Sequence, residues 1–143
     1  MGVVMGEEWT DIEKQAMKDR AKEFRDARKK AAQDPLADMM NKIAAMPEPD
    51  KSIALRVHEL VMAAGPKLNP KTWYGMPAWA NEAGKVVCFF QSGQKFKTRF
   101  NTFGFQEAAN MDDGTFWPMG YALTELTPEV EKRITKLVKQ ALS

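Results

Sequence analysis

Trp73-Tyr74-Gly75-Met76-Pro77-Ala78-Trp79 is the stretch whose reading decides the fold. Two indoles and a phenol surround a glycine and a proline, just ahead of a β-prone run. Residues 73–121 hold twelve of the chain's fourteen aromatics. Such side chains fit a pleated, half-buried surface, so the sheet is expected there. Residues 71–74 and 77–80 read as short strands, interrupted at Gly75-Met76. Asn81-Glu82-Ala83-Gly84 is a turn. Residues 85–91 form a continuous apolar strand, the pattern of a position covered on both faces or central in a sheet. Ser92-Gly93-Gln94 reads as the next hairpin turn.

Residues 95–103 then alternate. Phe96, Thr98, Phe100 and Thr102 fall on one side; Lys95, Lys97, Arg99 and Asn101 fall on the other. That period predicts a strand with one buried and one wet face. Its wet face would carry three cations along about 14 Å. Two readings compete: a solvated strand face, where lysines also discourage edge-to-edge pairing, or a basic site with stacking surfaces beside it. Residues 106–111 read as a short helix or loop, Asp112-Asp113-Gly114 as a turn, and residues 115–123 as a further strand.

Upstream the period is helical. Asp34-Pro35 reads as a cap followed by a first helical residue, and Leu36, Met39, Met40 and Ile43 follow helical spacing. Pro47-Glu48-Pro49 is a stiff connector. Asp50 is the next cap, ahead of the stripe Ile53, Val57, Leu60, Val61 and Ala64. Downstream, Thr127-Pro128-Glu129 opens a last helix with buried positions Val130, Ile134, Leu137, Val138, Ala141 and Leu142. Residues 7–33 are charged, with eight basic and seven acidic side chains. They predict an appended helix packing weakly through Trp9, Ile12 and Phe24, with its Arg25–Lys30 end either solvated or open to an anionic partner. Helices, then short strands on hairpin-length turns, then a helix favour an α+β fold. We expect a two-layer sandwich: an antiparallel sheet of about five to six strands covered by helices, on residues 34–143, with residues 1–33 as a helical extension.

At 143 residues one domain is the expectation. A hydrophobic fraction of 44% and a charged fraction of 28% are those of a globular protein that needs no staples. The single cysteine, Cys88, excludes an internal disulfide and fits a reducing compartment. No apolar run is long enough to span a bilayer, and the N-terminal residues do not read as a signal peptide. A cytoplasmic protein without a membrane partner is expected. A net charge of +2 does not by itself point to nucleic acid.

The catalytic inventory is thin. The only histidine, His58, reads as a helix-flank residue. There is no zinc-ligand cluster, glycine-rich phosphate loop or nucleophile elbow. Acidic pairs at Glu48/Asp50 and Asp112/Asp113 read as caps and turns, or as ligands for a hard cation if more oxygens converge. No residue presents itself as nucleophile or base, so a non-enzymatic protein without a cofactor is expected.

Tyr74-Gly75-Met76-Pro77-Ala78 resembles the YdhG-like family of domains of unknown function, within the YjbR/CyaY-like, or frataxin-like, superfamily. Met46-Pro47-Glu48-Pro49 before a helix, Lys85-Val86-Val87-Cys88-Phe89-Phe90, Phe103-Gly104-Phe105 and Leu126-Thr127-Pro128 support the likeness, which covers roughly residues 36–142. The resemblance implies a two-layer sandwich. It also implies iron handling, because some relatives are regarded as intracellular iron chaperones and frataxins bind iron through acidic residues on a helix and an edge strand. The candidate ligands here would be Glu48, Asp50, Asp112 and Asp113. The chain departs from that pattern: its second core helix sets Asp50 and Glu59 against Lys51 and Arg56, with no acidic ridge. Distant members of the superfamily carry a DNA-binding label.

Three functions follow as expectations. The first is a small binding protein using the sheet surface at Trp73, Tyr74, Trp79, Lys95, Lys97 and Arg99 for a small ligand or a protein partner. The second is iron binding, from the resemblance. The third is binding of single-stranded nucleic acid, from the aromatic and basic composition.

Overall fold

A computed structural model describes residues 11–143, the side chains of 27–33 excepted. The chain divides into two units, Met1–Asp34 and Pro35–Ser143. In the first, helix α1 spans Asp11–Gln33. Ile12 and Phe24, expected to pack, are exposed, as is Met17. Within α1, Gln15 Nε2 donates to Asp19 Oδ1 at 3.0 Å. Trp9 and the side chains of Arg28, Lys29 and Lys30 lie outside the described residues.

The second unit runs α2 (Pro35–Ala44), α3 (Asp50–Ala64), β1 (Asn69–Trp73), β2 (Met76–Ala80), β3 (Val86–Gln91), α4 (Gly93–Phe96), β4 (Asn101–Phe105), β5 (Gly120–Leu123) and α5 (Pro128–Ala141). The five strands form one antiparallel sheet in the order β1-β2-β3-β4-β5. The fold is α+β, an open antiparallel sheet packed against helices. No helix among the described residues is long and apolar enough to cross a membrane.

Register decides which side chains meet the helices. Trp79 stands opposite Cys88, Cys88 opposite Phe105, Phe90 opposite Phe103, and Phe103 opposite Tyr121. Opposed residues share a face, so these line one side of the sheet. They join Met39 and Ile43 of α2, Val57 and Val61 of α3, and Ile134 and Val138 of α5 in one buried cluster. Helices α3 and α5 pack on each other. Arg56 clamps them with a bidentate pair to Glu131, its Nε and Nη2 donating at 3.1 and 2.9 Å.

Helix α5 begins as its sequence predicts: the Thr127 hydroxyl accepts from the Val130 N–H at 3.2 Å and Pro128 fills the first turn. Helix α3 begins differently. Asp50 does not cap it; the Glu48 carboxylate accepts from the Ser52 N–H at 2.9 Å and from the Ser52 hydroxyl. Asp50 is turned inward and buried.

Of the predicted strand over residues 95–103, only the last third, 101–103, is strand. Residues 93–96 are helical, and strand begins at Asn101. The cause is non-local. Ser92 caps α4 by accepting from the Lys95 N–H at 3.2 Å, while its own hydroxyl donates to Asp50 Oδ2 at 2.6 Å. Gln94 N–H donates to the same oxygen at 3.1 Å, and Gly93 N–H donates to Asn101 Oδ1 at 2.7 Å. A Cβ at Gly93 would lie 2.5 Å from the Phe100 carbonyl oxygen, so only glycine lets the turn close this tightly. Two bonds to the Asp50 carboxylate, with the Ser92 cap and the Asn101 acceptor beside them, outweigh a period-2 pattern.

Candidate functional site

The hairpin between β1 and β2 has a two-residue loop, Tyr74-Gly75, with φ of 50° and 75°. Two successive positive values make the turn whose twist suits a tight hairpin, a turn that favours Asn-Gly. Gly75 fits it. Tyr74 does not: an L-residue with a bulky side chain meets its own backbone in this region.

This loop also sorts the two indoles. Trp73 stands opposite Met76, so it shares a face with Met76 and Ala78. Trp79, one residue out of phase, points to the helices. It is 0% exposed, and its Nε1–H donates to Nδ1 of His58 at 3.1 Å. Trp79 is therefore a core residue, not a wall of any open site. His58 is half-buried and bonded rather than a free helix-flank residue. Burial lowers its pKa, against a smaller opposite pull from Glu59. A hairpin loop of two residues is readable from the sequence, and counting across it separates Trp73 from Trp79.

On the face away from the helices Trp73 packs against Phe89, ring centroids 5.3 Å apart, and against Tyr74 at 4.9 Å, edge to face. Phe89 stands opposite Ala78 on one side and Gly104 on the other. A Cβ at Gly104 would run into the Phe89 ring, so the ring lies directly on the glycine backbone. Lys71 shares this face by alternation, being opposite Ala78. Trp73 and Phe89 are half-buried, and Tyr74 is 80% exposed. Phe89 and Lys71 were hidden inside runs read as plain strand.

The three cations expected on one strand face do not share one. Lys95, from α4, reaches the hairpin and donates from Nζ to the Gly75 carbonyl at 3.1 Å. Lys97 ends α4 in the left-handed conformation, φ 58°. Arg99 lies over the Phe100 ring, 5.2 Å from its centroid. Only Lys95 joins the aromatic face, at its border.

The acidic candidates do not converge. Glu48 is engaged by Ser52, whose backbone N–H and hydroxyl hold its carboxyl below the usual range. Burial pulls Asp50 upward, but donors from Ser92, Gln94 and Asn101 outweigh it and leave its pKa lowered. Asp112 and Asp113 are exposed in the connection 106–119. Among the described residues, no group of three or more His, Cys, Asp or Glu is placed to hold a metal ion. Cys88 is buried and its thiol pKa is pushed up by desolvation.

No protein-family model, curated protein or solved structure matches the chain.

Proposed function

We propose that this chain is a small, non-enzymatic binding protein whose sheet face opposite α3 and α5 takes a partner at Trp73, Tyr74 and Phe89, with Lys71 and Lys95 at the border. The observation that supports this reading is Tyr74. The hairpin would close with less strain on asparagine or glycine, yet the chain places a phenol there, 80% exposed and edge-on to Trp73. A strained position that keeps its ring largely exposed, with one edge contact to Trp73, is what a binding surface accounts for. The chemistry of the face suits a ligand or a partner segment with a flat apolar or aromatic surface and negative charge at its edge.

The test is a titration of the full chain with a panel of anionic metabolites, followed by tryptophan fluorescence and backbone amide shifts. Shifts at residues 71–76, 89 and 95 are expected, and Tyr74→Asn should weaken them without loss of fold. Binding that leaves those residues unmoved, or no binding at millimolar ligand, overturns the reading. Single-stranded nucleic acid is the competing occupant of the same rings and cations. It would announce itself by affinity that falls steeply with salt. Membership in the YdhG-like family, and iron handling with it, rests on resemblance alone. Anaerobic ferrous-iron calorimetry without binding tighter than roughly millimolar would remove the iron reading.

A further inference from the structure

On the other side of the sheet, between edge strand β5 and helix α5, lies a cavity of ≈180 Å³. Phe103 and Ile134 are buried at its floor, and half-buried Tyr121, Val130 and Leu137 form its walls. An apolar cavity of roughly 150 Å³ already admits benzene. This one therefore has room for a single ring with a small substituent.

The helix side of the cavity is lined by Val130, Arg133, Ile134 and Leu137, the spacing of one helical face. Arg133 is exposed, at the border of the apolar stripe where the pocket opens. Its guanidinium sits 6.0 Å from the Tyr121 ring centroid. Among the described residues, no carboxylate pairs with it; the Arg56 pairs with Glu59 and Glu131 lie elsewhere on the α3–α5 seam. The guanidinium is thus a planar, always-charged donor fork beside an aromatic wall, available to a planar anion. Glu125 also lines the rim, so a second negative charge on the ligand would be repelled.

We propose that this cavity binds small aromatic monocarboxylates, the ring entering between Tyr121, Val130 and Leu137 and the carboxylate meeting Arg133 at the mouth. The site is separate from the Trp73 face, because Tyr121 and Trp79 point to the helix side while Trp73 points away from it.

Benzoate is the probe, titrated into the full chain with methyl and amide spectra recorded, and benzamide is the neutral match in shape. Benzoate should shift the Val130, Ile134 and Leu137 methyls saturably, and benzamide should bind about tenfold more weakly, a difference of about 1.4 kcal/mol. Arg133→Gln should lose the same factor while unfolding at an unchanged temperature. Arg133→Lys should recover only part of it, because an ammonium lacks the fork. Leu137→Trp fills the cavity and should abolish the shifts with Arg133 still in place. Phthalate, with a second carboxylate near Glu125, should bind more weakly than benzoate. The proposal is overturned if benzamide matches benzoate, if Arg133→Gln binds undiminished, or if benzoate moves only Trp73 and Tyr74. That last outcome would leave the sheet-face reading standing alone.

Discussion

The buried indole of Trp79 donates its N–H to Nδ1 of His58, 3.1 Å away, with the two rings stacked at 22°. The chain's only histidine is thus spent on satisfying the largest side chain in its core. To accept, Nδ1 must be unprotonated, and burial already holds the pKa of His58 below 6.5.

A pH dependence follows. Between the lowered folded value and the ordinary 6.5, the unfolded chain binds a proton that the folded chain does not. Stability is therefore fully present above about 6.5 and falls as pH drops toward the folded value. Urea unfolding at roughly pH 7.5 and 5.5 should show a lower midpoint in acid. His58→Asn keeps an acceptor in place of Nδ1 but has no proton to gain. It should flatten the difference, and a slope as steep as in the parent chain would refute the assignment.

Asp50 offers a second, lower window. Its pKa is below 3.8, so its contribution is present above that value and lost as pH falls through the folded one. Asp50→Ala strands the Ser92 hydroxyl and the Gln94 N–H and should destabilise the fold by about 2–3 kcal/mol. Its amide exchange should rise first at residues 92–97, since that carboxylate is what gathers the α4 turn.

Cys88 should be silent toward thiol reagents in the folded protein, because it is 0% exposed and its thiolate is disfavoured by burial. Iodoacetamide labelling should track the fraction unfolded across a urea series. Fast labelling in native buffer would contradict the packing of β3 against the helices.

Tyr74→Asn should raise stability by about 0.5–1 kcal/mol, through relief of the left-handed tyrosine, while weakening partner binding. Opposite signs for fold and function are the outcome that separates a binding residue from a structural one. A drop in stability would mean that the Trp73–Tyr74 ring contact holds the hairpin.

Thr72 Oγ1 is buried and has no hydrogen-bond partner. Thr72→Val keeps the branched shape and removes the stranded hydroxyl. Thermal unfolding should move upward by the equivalent of about 1 kcal/mol.

Local signals carried most of the fold. The turn at Gly84 and the Thr127-Pro128 start of α5 are written in a few adjacent residues and stand where the sequence puts them, while the interruption read at Gly75-Met76 is a hairpin loop one residue earlier, Tyr74-Gly75. The break at residues 93–100 was illegible because its cause, Asp50, lies 42 residues from Ser92. The roles of Trp79 and His58 were illegible for the same reason: their bond spans 21 residues. The basic stripe failed with the strand that was to carry it. Of the aromatic candidates, Trp79 is core, while Trp73 and Tyr74 share a face with Phe89.

Every strand of this sheet lies beside its neighbour in sequence. Pairing therefore needs only short loops to close, the longest being 106–119, and loop closure is the entropic toll that slows sheet proteins. The meander can zip one hairpin at a time. The contacts that span long stretches of sequence belong to the helices: α3 reaching Ser92 through Asp50 and Trp79 through His58, and α5 packing on α3.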